Sequence, residues 1–244
     1  MRYLILLSVL FTVYAAKAQD EQPWKEPSKE SQAYHDYRNQ LSVPIYSSVN
    51  VKNAIKKYVK PDGDDNRVMK ESIYNKFTPK EKFVYAMIHP EAYSQICDAN
   101  PPIEDEHKKI FGYLPDAFAD YALSERQEKF LNDNRELVSG YFKECISKNN
   151  RIGVNYKQAI ININAVSLIP FLIETYNKQK KDHDILTMLL LLMKNNNYEE
   201  FLKSSGYKKL YGEESNYLSH LELNKANVDL IISRATNFYN GYKK

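Results

Sequence analysis

Ser124-Glu125-Arg126-Gln127 sets a hydroxyl three residues ahead of an amide side chain, and an apolar stripe at helical spacing follows it. The stripe runs through Phe130, Leu131, Leu137, Val138, Tyr141, Phe142, Cys145 and Ile146. A capping box satisfies two backbone amides that a helix start would otherwise leave unpaired, and the 3.6-residue period gives that helix one face to bury. Thr78-Pro79-Lys80-Glu81 repeats the device with proline at the first helical position, ahead of Phe83, Val84, Met87 and Ile88. Glycine numbers 7 in 244 residues, too few for the turn-rich connections of sandwiches and barrels. These features predict an all-α fold, a multi-helix bundle or an irregular stack of helix pairs over residues 44–244.

Along the chain, Val49 to Val59 reads as a short helix and Asp62-Gly63-Asp64-Asp65-Asn66 as a turn. Pro90 disfavours an α conformation at His89 and is expected to start a second short helix through Cys97. Residues 98–117 carry three prolines and Glu104-Asp105-Glu106, and read as a loop with a short helical piece. Two apolar hairpin-like stretches follow. Tyr156 to Val166 is one, and Pro170 restarts a helix with Phe171, Leu172, Ile173 and Tyr176. Asp182 is placed to cap Ile185 to Met193, whose core, Met188 to Met193, is too short to span a membrane and reads as a buried helix. Tyr198 to Lys203 gives a short helix closed by Gly206, and about Lys225 to Tyr239 gives the last, ended by Gly241. No fixed repeat period emerges.

The N-terminus predicts an address. Arg2 precedes an apolar run from Leu4 to Val13, and Ala16-Lys17-Ala18 offers the small-x-small pattern cut by signal peptidase, with Gln19 as the new first residue. Residues 1–18 are therefore expected to be a signal peptide, removed during export to the periplasm or the outside of the cell. Residues 19–43 are polar and proline-containing, and are expected to be a flexible lead-in.

Export removes Arg2 and Lys17, so the net charge falls from +3 to about +1. Lysine and arginine interleave with acidic residues, which argues against a nucleic-acid partner. The 20 tyrosines fit an AT-rich coding bias, with a tyrosine-lined ligand surface as the sharper alternative. Cys97 and Cys145 are the chain's two cysteines. In an oxidising compartment one disulfide is the favoured reading, with a loop-closure contribution of roughly 4 kcal/mol, and two buried thiols are the alternative.

Motifs for chemistry are sparse. No G-x-S-x-G elbow, H-E-x-x-H helix, zinc-type Cys/His spacing or glycine-rich phosphate cradle occurs, so no cofactor is expected. Glu104 and His107 stand three apart and form the one weak metal-type spacing, which a di-metal bundle would need twice. His183, between Asp182 and Asp184 at a helix start, His89 beside Pro90, and His220 beside Leu221 read as structural. The leading expectation is a non-catalytic binding or interaction protein of the cell envelope, with an unidentified protein or small ligand as partner. An exported cofactor-independent hydrolase using Glu104, Asp105, His107 or His89 is the alternative. An inhibitor or immunity-like protein would look like the first at this level.

Overall fold

The computed structural model describes residues 25–62, 65–95 and 101–242. The expected signal peptide and Cys97 lie outside them. Helices dominate, as the capping boxes and stripes imply, with short antiparallel strand pairs between them.

The first half contains α1 (Lys29–Asn39), α2 (Val49–Tyr58), β1 (Val59–Asp62), β2 (Asn66–Met69), α3 (Glu71–Tyr74), α4 (Pro79–Ile88), β3 (Ala92–Tyr93), β4 (Lys109–Phe111), β5 (Tyr121–Ala122) and α5 (Glu125–Asp133). The second half contains α6 (Arg135–Asn149), α7 (Val154–Asn162), α8 (Ile169–Gln179), α9 (Asp184–Asn195), α10 (Glu199–Leu202), α11 (Ser205–Tyr211), β6 (His220–Glu222) and α12 (Lys225–Tyr242). β1 pairs with β2, β3 with β5, and β4 with β6, Ile110 facing Leu221.

α9 is the axis of the larger core. Nine of its twelve residues are buried, and α7, α8, α12 and β4 pack around it. A helix apolar on nearly every side can be stable only when surrounded in this way. α12 contributes Ile231, Ala235 and Phe238, one stripe at helical spacing. A smaller cluster of Val51, Met69, Tyr74, Val84 and Tyr85 lies beneath α2 and the β1–β2 hairpin. Among the described residues, no helix is long and apolar enough to cross a membrane.

The box at Thr78 forms as expected: its hydroxyl accepts from the Glu81 amide, and Glu81 accepts from the Thr78 amide at 2.9 Å. The single helix expected behind Ser124 is two, divided at Asn134, whose backbone and side-chain amides both donate to the Phe130 carbonyl, at 3.2 and 2.8 Å. Pro90 starts no helix. The Glu91 carboxylate is held by Arg126, by the Tyr85 and Ser124 hydroxyls and by the Met69 amide, which commits Ala92–Tyr93 to a strand. Gly206 lies inside α11, which Ser204 caps, and Gly241 lies inside α12. The strands escaped sequence reading because two to four residues are too few to show a period of two.

The polar lead-in is the largest departure. From Lys29 it is helix, with Ser31, Tyr34 and Arg38 buried. The next residues run as a strap across the start of α7. Val154 donates to the Gln40 carbonyl at 3.0 Å, and Asn155 exchanges two hydrogen bonds with the backbone of Ser42 at 2.9 Å. Gly153 makes this approach possible, since a Cβ there would stand 2.1 Å from the Ser42 nitrogen. Gly153→Ala is therefore expected to destabilise the fold by about 1–3 kcal/mol through overpacking. Urea denaturation would measure it, and limited proteolysis would locate the first cuts between residues 39 and 45.

Candidate functional site

The site grows from a lysine that has no access to water. Lys157 sits on α7 with its side chain 0% exposed, and its ammonium donates to Asp182 Oδ1 at 2.7 Å and Asp184 Oδ2 at 3.0 Å. A charge placed there is costly unless it is paired on all sides. Asp184, the first residue of α9, also receives Arg38 of α1 through Nη2 at 2.7 Å and Nε at 3.3 Å. Arg38 Nη1 reaches Glu106 at 3.1 Å, and His35 Nδ1 reaches the other oxygen of Glu106 at 3.0 Å. A continuous buried chain of charge thus links α7, α9, α1 and the 3-10 turn Glu106–Lys108. Asp182 caps nothing. Its Oδ1 accepts from Lys157, its Oδ2 is buried without a hydrogen-bond partner among the described residues, and α9 starts without a side-chain cap.

Burial works against each charge here and the partners work for it. Burial raises the Glu106 carboxyl, but the His35 hydrogen bond and the Arg38 charge outweigh it and hold the group below the usual carboxylate range. Asp184 behaves alike, burial being overcome by Arg38 and then Lys157. Asp182 goes the other way, pushed up by burial and by the neighbouring Asp184 charge despite Lys157. His183, buried with its ring 4.9 Å from that of Tyr34, is lowered by desolvation to about 4 and is neutral at pH 7.

The outer end of this network opens into a cleft of about 580 Å³. Its buried inner surface is formed by Arg38, Glu106 and Phe111, the guanidinium lying 4.3 Å from the Phe111 ring centre. His35 and Asn39 of α1 stand beside them. The outer surface carries Tyr113, Leu114, Asp116, Asp120, Tyr217 and Leu218. Side chains from the core hold this irregular wall. Thr187 of α9 donates to the Phe111 carbonyl at 2.8 Å, Tyr211 to the Gly112 carbonyl at 2.8 Å, and Gln158 to the Pro115 carbonyl at 2.6 Å.

Glu104 and His107 are not brought together here. Glu104 is exposed, 3.4 Å from the Lys25 ammonium, and His107 Nδ1 is 3.0 Å from the Ser31 hydroxyl. Glu106, between them, is the residue turned inward. Asp105 pairs with Lys108 at 2.9 Å on the surface. Among the described residues, no group of three His, Cys, Asp or Glu side chains is placed to hold a metal ion. His89 is tied to the Arg67 carbonyl at 2.9 Å, away from the cleft, and His220, itself not a lining residue, is tied to the carbonyl of the lining Leu218 at 2.9 Å and packs on the Phe111 ring. Cys145 is a free thiol buried in α6. The bridge favoured from the sequence needs Cys97, which lies outside the described residues.

No family model matches the chain, and no curated protein or solved structure is similar to it. Its chemistry must be read from its own residues.

His183 makes that reading measurable. Its folded pKa of about 4 lies below the ordinary 6.5, so the unfolded chain binds the proton first as pH falls. Its contribution is complete above about pH 6.5 and is lost down to about pH 4, a fall of about 3 kcal/mol. Asp182, raised in the folded state, opposes that fall, while Asp184 and Glu106 act mainly below it. In urea titrations the unfolding free energy should drop across this window, and His183→Gln should flatten the drop. Equal slopes in both proteins would contradict the assignment.

Proposed function

We propose that this chain is an exported, non-catalytic binding protein of the cell envelope that holds a small ligand in the cleft between α1 and the 111–120 segment. The observation that carries the reading is the cleft's construction. Its volume of about 580 Å³ is in the ordinary range for small-molecule sites, and its outer surface combines aromatic and apolar side chains with a few polar groups, Asp116 and Asp120 among them. The charges at its inner end are already satisfied by one another, so they shape the site rather than react. Export is supported by Arg2, the Leu4–Val13 run and the Ala16-Lys17-Ala18 pattern.

The hydrolase alternative has one observation in its favour. Glu106 holds the His35 ring through Nδ1, as a carboxylate orients a general base. Among the described residues, serine, threonine and cysteine are missing from the cleft lining, which leaves water as the nucleophile they offer.

The test is native mass spectrometry of the chain purified gently from an envelope fraction. The expected spectrum shows a mature N-terminus at Gln19 and a retained small molecule, lost in a Tyr113→Ala/Tyr217→Ala variant. A chain still beginning at Met1 contradicts export. Equal retention by the variant, or no retained mass, contradicts the cleft as the site.

A further inference from the structure

The charges lining the cleft do not balance. Among the described lining residues Arg38 supplies the sole guanidinium or ammonium, and that group is already given to Asp184 and Glu106. Asp116 and Asp120 line the same cleft, are exposed, and among the described residues have no side-chain ion pair or hydrogen bond. Tyr113 and Tyr217 line it too and remain 39% and 57% exposed, the Tyr113 ring packing edge-on with Tyr211 at 5.6 Å. Free carboxylates beside open aromatic faces attract a cation twice, by opposite charge and by the negative face of each ring. The same carboxylates repel an anion, and among the described lining residues no unpaired lysine or arginine offsets them; Arg67, outside the lining, is stacked on the Tyr121 ring at 4.4 Å.

We infer that the cleft takes an organic cation, a protonated amine carried on an apolar body of about the size of one aromatic ring. The ammonium sits by Asp116 and Asp120, and the body lies against Tyr113, Tyr217 and Leu218. Arg38 and Glu106 close the inner end and leave no unpaired charge for a second ionic group. This deepens the proposed function and rests on it.

Isothermal titration of the full mature chain with three probes of one shape separates the possibilities: phenethylamine, phenylacetate and 2-phenylethanol. The expected result is binding of the amine, at least about tenfold weaker binding of the alcohol, and no binding of the carboxylate. Asp116→Asn/Asp120→Asn, at two exposed positions where folding is unaffected, should weaken the amine about tenfold and leave the alcohol unchanged. Equal binding of all three probes, or amine binding indifferent to the double variant, overturns the cation while leaving the cleft as a site. If none of the three binds, the inference and the cleft reading both fall.

Discussion

Arg38 reaching Asp184 is the interaction on which the arrangement depends. Asp184 opens the most buried helix of the molecule, and Arg38 lies on a helix that offers little apolar surface of its own. Without this pair α1 would have scant reason to dock. With it, the guanidinium becomes the inner surface of a cleft, and Glu106 and His35 are drawn into register beside it. Removing one partner of such a buried pair costs about 3–5 kcal/mol, mostly because the other is left uncompensated. Lys157 shares the load on Asp184, so the network tolerates its own burial through mutual pairing rather than through water.

A second carboxylate is buried in the same spirit and to a different end. Glu91 is saturated by Arg126, Tyr85, Ser124 and the Met69 amide, and it fastens both strand pairs of the first half to α4 and α5. It lines no cleft. The contrast separates structural from functional burial here: both acids are fully paired, but only the Glu106 network ends at an open surface with unpaired acids and bare tyrosine rings nearby.

The apolar part of the fold was legible before any coordinates. Stripes at Phe83–Met87, Leu131–Ile146 and Met188–Met193 supplied core, Leu137 alone of the second being exposed, because burial of such faces is what a period of 3.6 encodes. The site was not legible for the complementary reason. α1 presents Ser31, Tyr34, His35 and Arg38 inward, a stripe at helical spacing made of polar residues, and such a stripe reads as a solvated or disordered segment. Its partners were visible only singly. Asp182 and Asp184 read as complements to a helix dipole, Lys157 lies inside the Tyr156–Val166 stretch with no pattern of its own, and Glu106 stands in an acidic run between Glu104 and His107, whose spacing is the metal-type one. Ion pairing across 146 positions of sequence leaves no local pattern. The Ser28 hydroxyl, which accepts from the Ser31 amide at 3.2 Å, was the one local sign that a helix begins there.

Buried charge, rather than apolar contact, docks α1 and thereby builds the cleft. Amide hydrogen exchange over residues 29–39, compared between the wild type and Arg38→Met, separates the two contributions. The account predicts wild-type protection of α1 close to that of α7, and an acceleration in the variant of at least about a hundredfold, confined to α1 and its strap. An α1 that exchanges like unstructured chain in the wild type, or one that Arg38→Met leaves equally protected, would contradict it.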